Sequence, residues 1–445
     1  MKILNRPLIQ EQQPTVRGLM KAGKNMTLFL IFSAFALSVA ISDYRTMISM
    51  WDTPALAKQY QPQRAPQPLP MPYEGDFANL WLAGRLARVN DIAVLYQPQQ
   101  IARYHDKFFH HPVATPPWLY PPLTFLPGFL FSFLPLRIAF WCWNIGTLVT
   151  AAILLRLARL TWISIGLGVL GPASMASIML GQYGTLVGAA TVAALLLSRK
   201  EPLLSASALA LTAFKPQTAL VVPVAFVLQS QWKALAYAIG IGLIIFALDI
   251  ILFGIHPWWL YLTKGLAESR AVLDYKWPQS NEMSGTSFFW MFRSFGSSVL
   301  TSDAAQFTAS TIVIVAMSYL IWRCGSASLT TDSAIPYAAV VCSASLLVSP
   351  YGYSMDMVSC SICCAMLMAQ RRKLTINDPM LWIWLWPGVA PIMSHVTGVL
   401  LTPLVLLTMF LLSARSLSFS TSKSVAITAQ TQQSSLPTRH WHLTV

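Results

Sequence analysis

Between Leu211 and Ala225 the chain reads LTAFKPQTALVVPVA, and Lys215-Pro216 interrupts an otherwise apolar run from 203 to 230. Read as one helix, that run would leave Arg199 before it and Lys233 after it on opposite sides of a membrane. Proline lacks the amide hydrogen and crowds the carbonyl four residues back, so it disrupts a helix interior. Two short helices turning at Lys215-Pro216 instead return both cations to one side. This choice sets the topology of everything downstream.

The choice presupposes a bilayer, and composition demands one. Of 445 residues, 55% are hydrophobic and only 10% are charged, whereas soluble domains carry roughly 25% charged residues. So few charges cannot cover a water-facing surface. The net charge of +14 does not point to nucleic acid, because the Lys and Arg residues stand in ones, twos and threes between apolar runs. That punctuation follows the positive-inside rule.

A membrane-crossing helix needs about 20 apolar residues, and fewer within a bundle. Apolar runs fall near 25–47, 138–158, 161–180, 183–198, 203–214, 217–230, 234–254, 303–323, 334–349, 352–369, 379–393 and 396–413. Lys21 and Lys24 precede the first, which reads as a retained signal anchor. The stretch PPLTFLPGFLFSFLP at 121–135 is short and Pro-punctuated, and reads as interfacial or re-entrant. With the N-terminus inside, the inner turns collect Arg156, Arg159, Arg199, Lys200, Lys233, Arg323, Arg371, Arg372 and Lys373, against Lys215 alone in the short outer turns. The expectation is about twelve transmembrane helices in the inner (cell) membrane, with both termini cytoplasmic. It divides the chain into a cytoplasmic segment (1–24), a membrane domain (25–413) and a disordered Ser/Thr/Gln-rich cytoplasmic tail (414–445). Extracytoplasmic loops fall at about 48–137 and 255–302, the first long enough to carry short helices.

Cysteine and histidine contribute little chemistry. Cys142, Cys324, Cys342, Cys360, Cys363 and Cys364 all lie in or beside apolar runs, where packing accounts for them. His105, His110, His111 and His256 match no metal-ligand spacing, so no metal is expected.

The topology gathers unusual polar residues on the outer face. Asp76 lies in the first outer loop, and Tyr120 in WLYPPL ends it. Gln182 (GQYGT), Lys215 (FKPQ), and Tyr351 with Asp356 (SPYGYSMD) occupy outer turns, while Arg293 (FFWMFRSFG) closes the second loop. Ionisable residues at membrane depth are costly and tend to be functional. Each also has a plain alternative. Lys215 could snorkel to the interface, Gln182 could satisfy a turn, Asp356 could cap a helix through its dipole, and Asp76 could be a solvated loop acid.

These residues sit in pieces that, in order and spacing, resemble glycosyltransferase family 87, polytopic enzymes of the GT-C fold. The pieces are DFANLWLAGR from Asp76, LYQPQQI from Leu95, YPPL from Tyr120, FLPLRIAFWCWNIGTL from Phe133, GQYGTL from Gly181, LTAFKPQTALVVPVA from Leu211, and SPYGYSMDMV from Ser349. Tyr351 stands where some members carry His, and Met355 where Tyr is common. The resemblance implies an all-α GT-C-type bundle with a long first extracytoplasmic loop. It implies transfer of a sugar, mannose or another hexose or pentose, from a polyprenyl-phosphate donor to a lipid or glycan acceptor on the extracytoplasmic face, with inversion. Asp76 takes the position of the catalytic base, with Glu74 as second candidate. Lys215 and Arg293 would hold the departing phosphate, and Gln182, Tyr120, Tyr351 and Asp356 would line the sugar or orient the base. No cofactor is implied. The implied partners are donor, acceptor and membrane lipids, not nucleic acid, and oligomeric state is left open. A polytopic transporter or flippase of lipid-linked substrates is the alternative.

Overall fold

The computed structural model describes residues 75–109, 118–278, 282–324, 331–371 and 374–434. The expected cytoplasmic segment, the signal anchor and Glu74 lie outside the described residues. Among the described residues the chain is helical and has no strand. Among the described residues three helices are long and apolar enough to cross a membrane: Leu136–Leu157 (α4), Trp232–Phe253 (α10) and Val299–Cys324 (α14). A fourth crossing is possible by length if Trp162–Val169 (α5) and Pro172–Leu180 (α6) form one broken span, bent by 54°. The expected run 161–180 is therefore two helices, parted at Gly171-Pro172 because Pro172 opens the second.

Elsewhere the helices follow the apolar runs but are shorter. Phe77–Arg88 (α1), Pro98–Phe109 (α2) and Phe125–Phe131 (α3) lie in the expected first outer loop, and α3 lies within the Pro-punctuated stretch at 121–135. Gly184–Leu197 (α7) is followed by Pro202–Leu211 (α8) and Val222–Leu228 (α9). His256–Leu260 (α11), Leu266–Leu273 (α12) and Phe288–Ser294 (α13) occupy the second loop. Thr331–Val348 (α15), Val358–Ala369 (α16), Pro379–Thr397 (α17) and Thr402–Ser434 (α18) complete the chain. Helix α18 continues through 414–434 into the stretch expected as a tail, and neither Gly nor Pro occurs between Leu404 and Leu436 to stop it.

Helix α7 is the axle of the fold. Every residue in it except Leu196 is buried, and it is apolar on all sides, as a helix enclosed by others must be. It packs into the largest core cluster with α15, α16 and α17, built from small and medium residues such as Ala193, Ala339 and Cys363. Helix α10 is the opposite case. Ile244 is 70% exposed and Ile251 78%, so among the described residues this part of its apolar surface is left uncovered. That is the surface expected of a helix facing lipid. Its one buried acid, Asp249, accepts a hydrogen bond from Trp258 Nε1 at 2.6 Å.

Buried polar side chains close the helix ends. Gln306 of α14 donates to the carbonyls of Leu347 and Val348 at the end of α15, and accepts from the Phe289 amide at the start of α13. At the far end of α7, Arg199 donates to Gln229 Oε1 at 2.6 Å, and Gln229 donates to the Ile321 carbonyl. Five of the six cysteines are buried and Cys142 is exposed, and all six are free thiols.

Candidate active site

The N-terminal end of α7 meets α1 at the centre of the site. Helix α6 ends with Gly181 in the left-handed region (φ 62°), where its N–H bonds Ile178 O and the Gln182 N–H bonds Ser177 O at 2.8 Å. This glycine-terminated cap directs the Gln182 side chain inward before α7 begins. A side chain at Gly181 would bring its Cβ to 2.4 Å from Phe77 Cβ. Gly75, also left-handed (φ 52°), lies against the Leu180 backbone in the same way. The two glycines thus let the turn before α1 and the turn before α7 touch.

Asp76 and Gln182 face each other across that contact. Asp76 precedes α1 but makes no capping bond to it; its Oδ2 instead accepts from Gln182 Nε2 at 2.5 Å. Gln182 Oε1 accepts from the Tyr120 hydroxyl at 3.0 Å and from Lys215 Nζ at 3.5 Å. The amide orientation is fixed by these partners, since a carboxylate needs a donor while a hydroxyl and an ammonium need an acceptor. Lys215 Nζ is also 2.6 Å from Asp356 Oδ1, and Asp356 Oδ2 accepts from the Tyr353 amide. One continuous network therefore runs Asp76–Gln182–Lys215–Asp356, with Tyr120 joined at Gln182.

The turn at Lys215 is as the sequence led one to expect. It lies between two 3-10 turns, Thr212–Phe214 and Pro216–Thr218, so the chain reverses without a continuous helix. The consequence differs from snorkelling: Lys215 is 3% exposed and points into the protein. Asp356 does not act as the dipole cap of a membrane helix either. It ends a 3-10 turn, Ser354–Asp356, and α16 starts only at Val358.

A cavity of about 430 Å³ opens over this network. Asp76, Tyr120, Gln182, Lys215 and Tyr351 all line it. Leu220 and Leu266, each 47% exposed, also line it and give it an apolar edge open to the outside. Burial pushes the Asp76 carboxyl above the usual range, and the Gln182 hydrogen bond and the Lys215 charge pull it back only in part. Burial, with the Asp76 charge next in weight, likewise raises the Tyr120 phenol well above its ordinary value and keeps it neutral.

Arg293 is not brought to the cavity. Its guanidinium donates to the carbonyls of Tyr275 at 2.8 Å and Ser297 at 3.0 Å, holding the second loop together. The structure also adds cavity residues that the sequence reading missed. Asn79, in the first turn of α1, lines the cavity with an unpartnered Oδ1, as does Trp118 with an unpartnered Nε1. Glu282 and Ser284 line it from the second loop. Glu282 stands in the polar stretch SNEMSGTS from Ser280, so nothing local in the sequence marks it or the others as cavity residues.

The profile of glycosyltransferase family 87 matches residues 118–350, which include Tyr120, Gln182, Lys215 and Glu282. Asp76 and Asp356 flank the matched stretch and reach it through hydrogen bonds to Gln182 and Lys215. No curated protein matches, and no solved structure does. With more than half its length matched, the chain belongs to glycosyltransferase family 87 and is a membrane glycosyltransferase.

Proposed function

We propose that the protein transfers a sugar from a polyprenyl-phosphate donor to a hydroxyl of a lipid or glycan acceptor, with inversion, at the extracytoplasmic face of a bundle of about twelve transmembrane helices. The observation that carries this reading is the Asp76 carboxylate at the cavity wall, with Oδ2 held by Gln182 and Oδ1 left for a ligand. Asp76 accepts the proton of the acceptor hydroxyl as that oxygen bonds to the anomeric carbon. The bond from the anomeric carbon to the phosphate oxygen breaks on the opposite face, and its electron pair leaves with polyprenyl phosphate. The leaving group needs no proton.

Negative charge grows on the departing phosphate, and a preorganised cation in a water-poor site stabilises it. Lys215 fills this role as the one cation among the described residues that line the cavity, and Arg293 is engaged elsewhere. Asp356 and Gln182 take two of the three ammonium donors, leaving the third for the phosphate. The apolar edge at Leu220 and Leu266 suits the first units of the lipid chain, which would enter from the bilayer. The basic inner rim supports the proposed face. Arg199 follows α7 by two residues, about 22 Å from Gly184 at 1.5 Å per residue, so the basic cluster and the cavity occupy opposite ends of one helix.

The direct test incubates purified protein with defined polyprenyl-phosphate sugars and identifies the product by mass spectrometry. A glycosylated acceptor with inverted anomeric configuration supports the reading, and turnover with nucleotide sugars alone contradicts it. For the face, a cysteine replacing exposed Lys276 should react with an impermeant thiol reagent from outside intact cells.

A further inference from the structure

Glu282 lies on the second loop, remote in sequence from the Asp76 network, yet it lines the same cavity. It is 2% exposed and Ser284 is 1% exposed, on one 3-10 turn, Glu282–Ser284. Neither Glu282 Oε2 nor the Ser284 hydroxyl has a hydrogen-bond partner. Buried polar atoms are nearly always paired, and leaving one unpaired costs about 1–3 kcal/mol, so each such atom asks for an explanation. Two of them on one turn, both in a cavity wall, point to a ligand that supplies the missing partners.

The turn is built rather than loose. Gly285 forms an antiparallel bridge with Tyr353, and the Thr286 amide donates to Gly352 O at 2.9 Å. This ties Glu282 to the segment that carries Asp356, the partner of Lys215. Tyr353 stands between the two halves of the site, and the charges of Glu282, Asp356 and Asp76 all reach its phenol. Asn79 Oδ1 and Trp118 Nε1 add one more free acceptor and one free donor to the cavity.

The chemistry of this set narrows the ligand. An acid rules out a second phosphate. Among the described residues no three metal-ligating side chains cluster, so a cation has no shell here. A carboxylate, a hydroxyl, an amide oxygen and an indole N–H between aromatic faces suit neutral hydroxyl groups, which both donate and accept. Burial lifts the Glu282 carboxyl to about 7, so near neutrality it can accept from one hydroxyl or donate to another. We infer that Glu282 and Ser284 form a sugar-hydroxyl subsite, which binds neighbouring hydroxyls of a glycosyl unit while Asp76 and Lys215 act on the anomeric carbon and the phosphate. The inference rests on the proposed function and adds the element that selects the sugar.

The glycosyl unit belongs either to the donor or to the acceptor, and one set of measurements separates these. Full-length wild type, Glu282→Gln and Ser284→Ala are compared in nanodiscs for binding of bare polyprenyl phosphate and of its mannose, glucose and arabinofuranose conjugates. The KM for octyl mannoside as acceptor is measured alongside. If the donor sugar is held, the wild-type preference for a conjugate over bare polyprenyl phosphate falls about tenfold or more in Glu282→Gln, with bare lipid phosphate bound as before. If the acceptor sugar is held, that preference survives and the acceptor KM rises by a similar factor at unchanged kcat. Either result supports the subsite. Preference and acceptor KM both within twofold of wild type in the two variants would overturn it. So would loss of bare lipid-phosphate binding together with the rest, which marks a structural role. Wild-type protein that binds no polyprenyl phosphate would instead overturn the donor reading beneath it.

Discussion

Lys215 Nζ lies 2.6 Å from Asp356 Oδ1, and both side chains are almost wholly buried. They are 141 residues apart in sequence, so this ion pair closes the site between the middle and the later part of the chain. Removing one partner of a buried pair leaves an uncompensated charge and costs about 3–5 kcal/mol. Lys215→Met should therefore lower the unfolding midpoint as well as donor affinity. In Lys215→Met/Asp356→Leu, stability should recover towards wild type while donor affinity stays lost. A Lys215→Met protein with wild-type stability and wild-type donor affinity would remove Lys215 from both roles.

Gln182 acts on Asp76 through its amide N–H, and the sign of that effect is testable. The hydrogen bond favours the charged carboxylate and so lowers a pKa that burial has raised. In Gln182→Leu that help is gone, and the Asp76 pKa rises further. Activity requires the unprotonated base, so the acid limb of kcat/KM should move to higher pH, with the largest loss at the acid end. An acid limb that stays in place would show that Asp76 is not the group being titrated.

Arg293 gives a contrasting expectation. Because its guanidinium holds the Tyr275 and Ser297 carbonyls, Arg293→Gln should cost about 1–3 kcal/mol of stability through lost charged hydrogen bonds. Donor affinity in the folded fraction should change by less than about threefold. Intact stability with a collapse of donor affinity would return Arg293 to the phosphate.

What the sequence made legible follows from where the information is local. The break at Lys215-Pro216 is written in one residue's missing amide hydrogen, and the structure turns there. Gly181 and Gln182 likewise form a local cap that brings the amide to Asp76. Pairings across the chain were not legible, because nothing in FKPQ or SPYGYSMD names the other as its partner. Arg293 misled for the same reason: a cation in an outer loop looks available until its carbonyl partners are known. Glu282 was missed because an acid in a loop is usually solvated, and only its burial against the cavity sets it apart. At the C-terminus the two local signals diverge, since the polar composition past 414 points away from packing while the lack of Gly and Pro lets helix α18 continue.

The central claim is that Asp76 is the base, and the transfer rate of purified Asp76→Asn tests it most directly. Asparagine keeps the shape of the side chain but cannot take a proton, and general-base assistance contributes about 10²–10⁴-fold. The rate of glycosyl transfer at saturating donor should fall by that factor, while polyprenyl-phosphate-sugar binding and the unfolding midpoint are retained. A near-normal rate in Asp76→Asn would contradict the account.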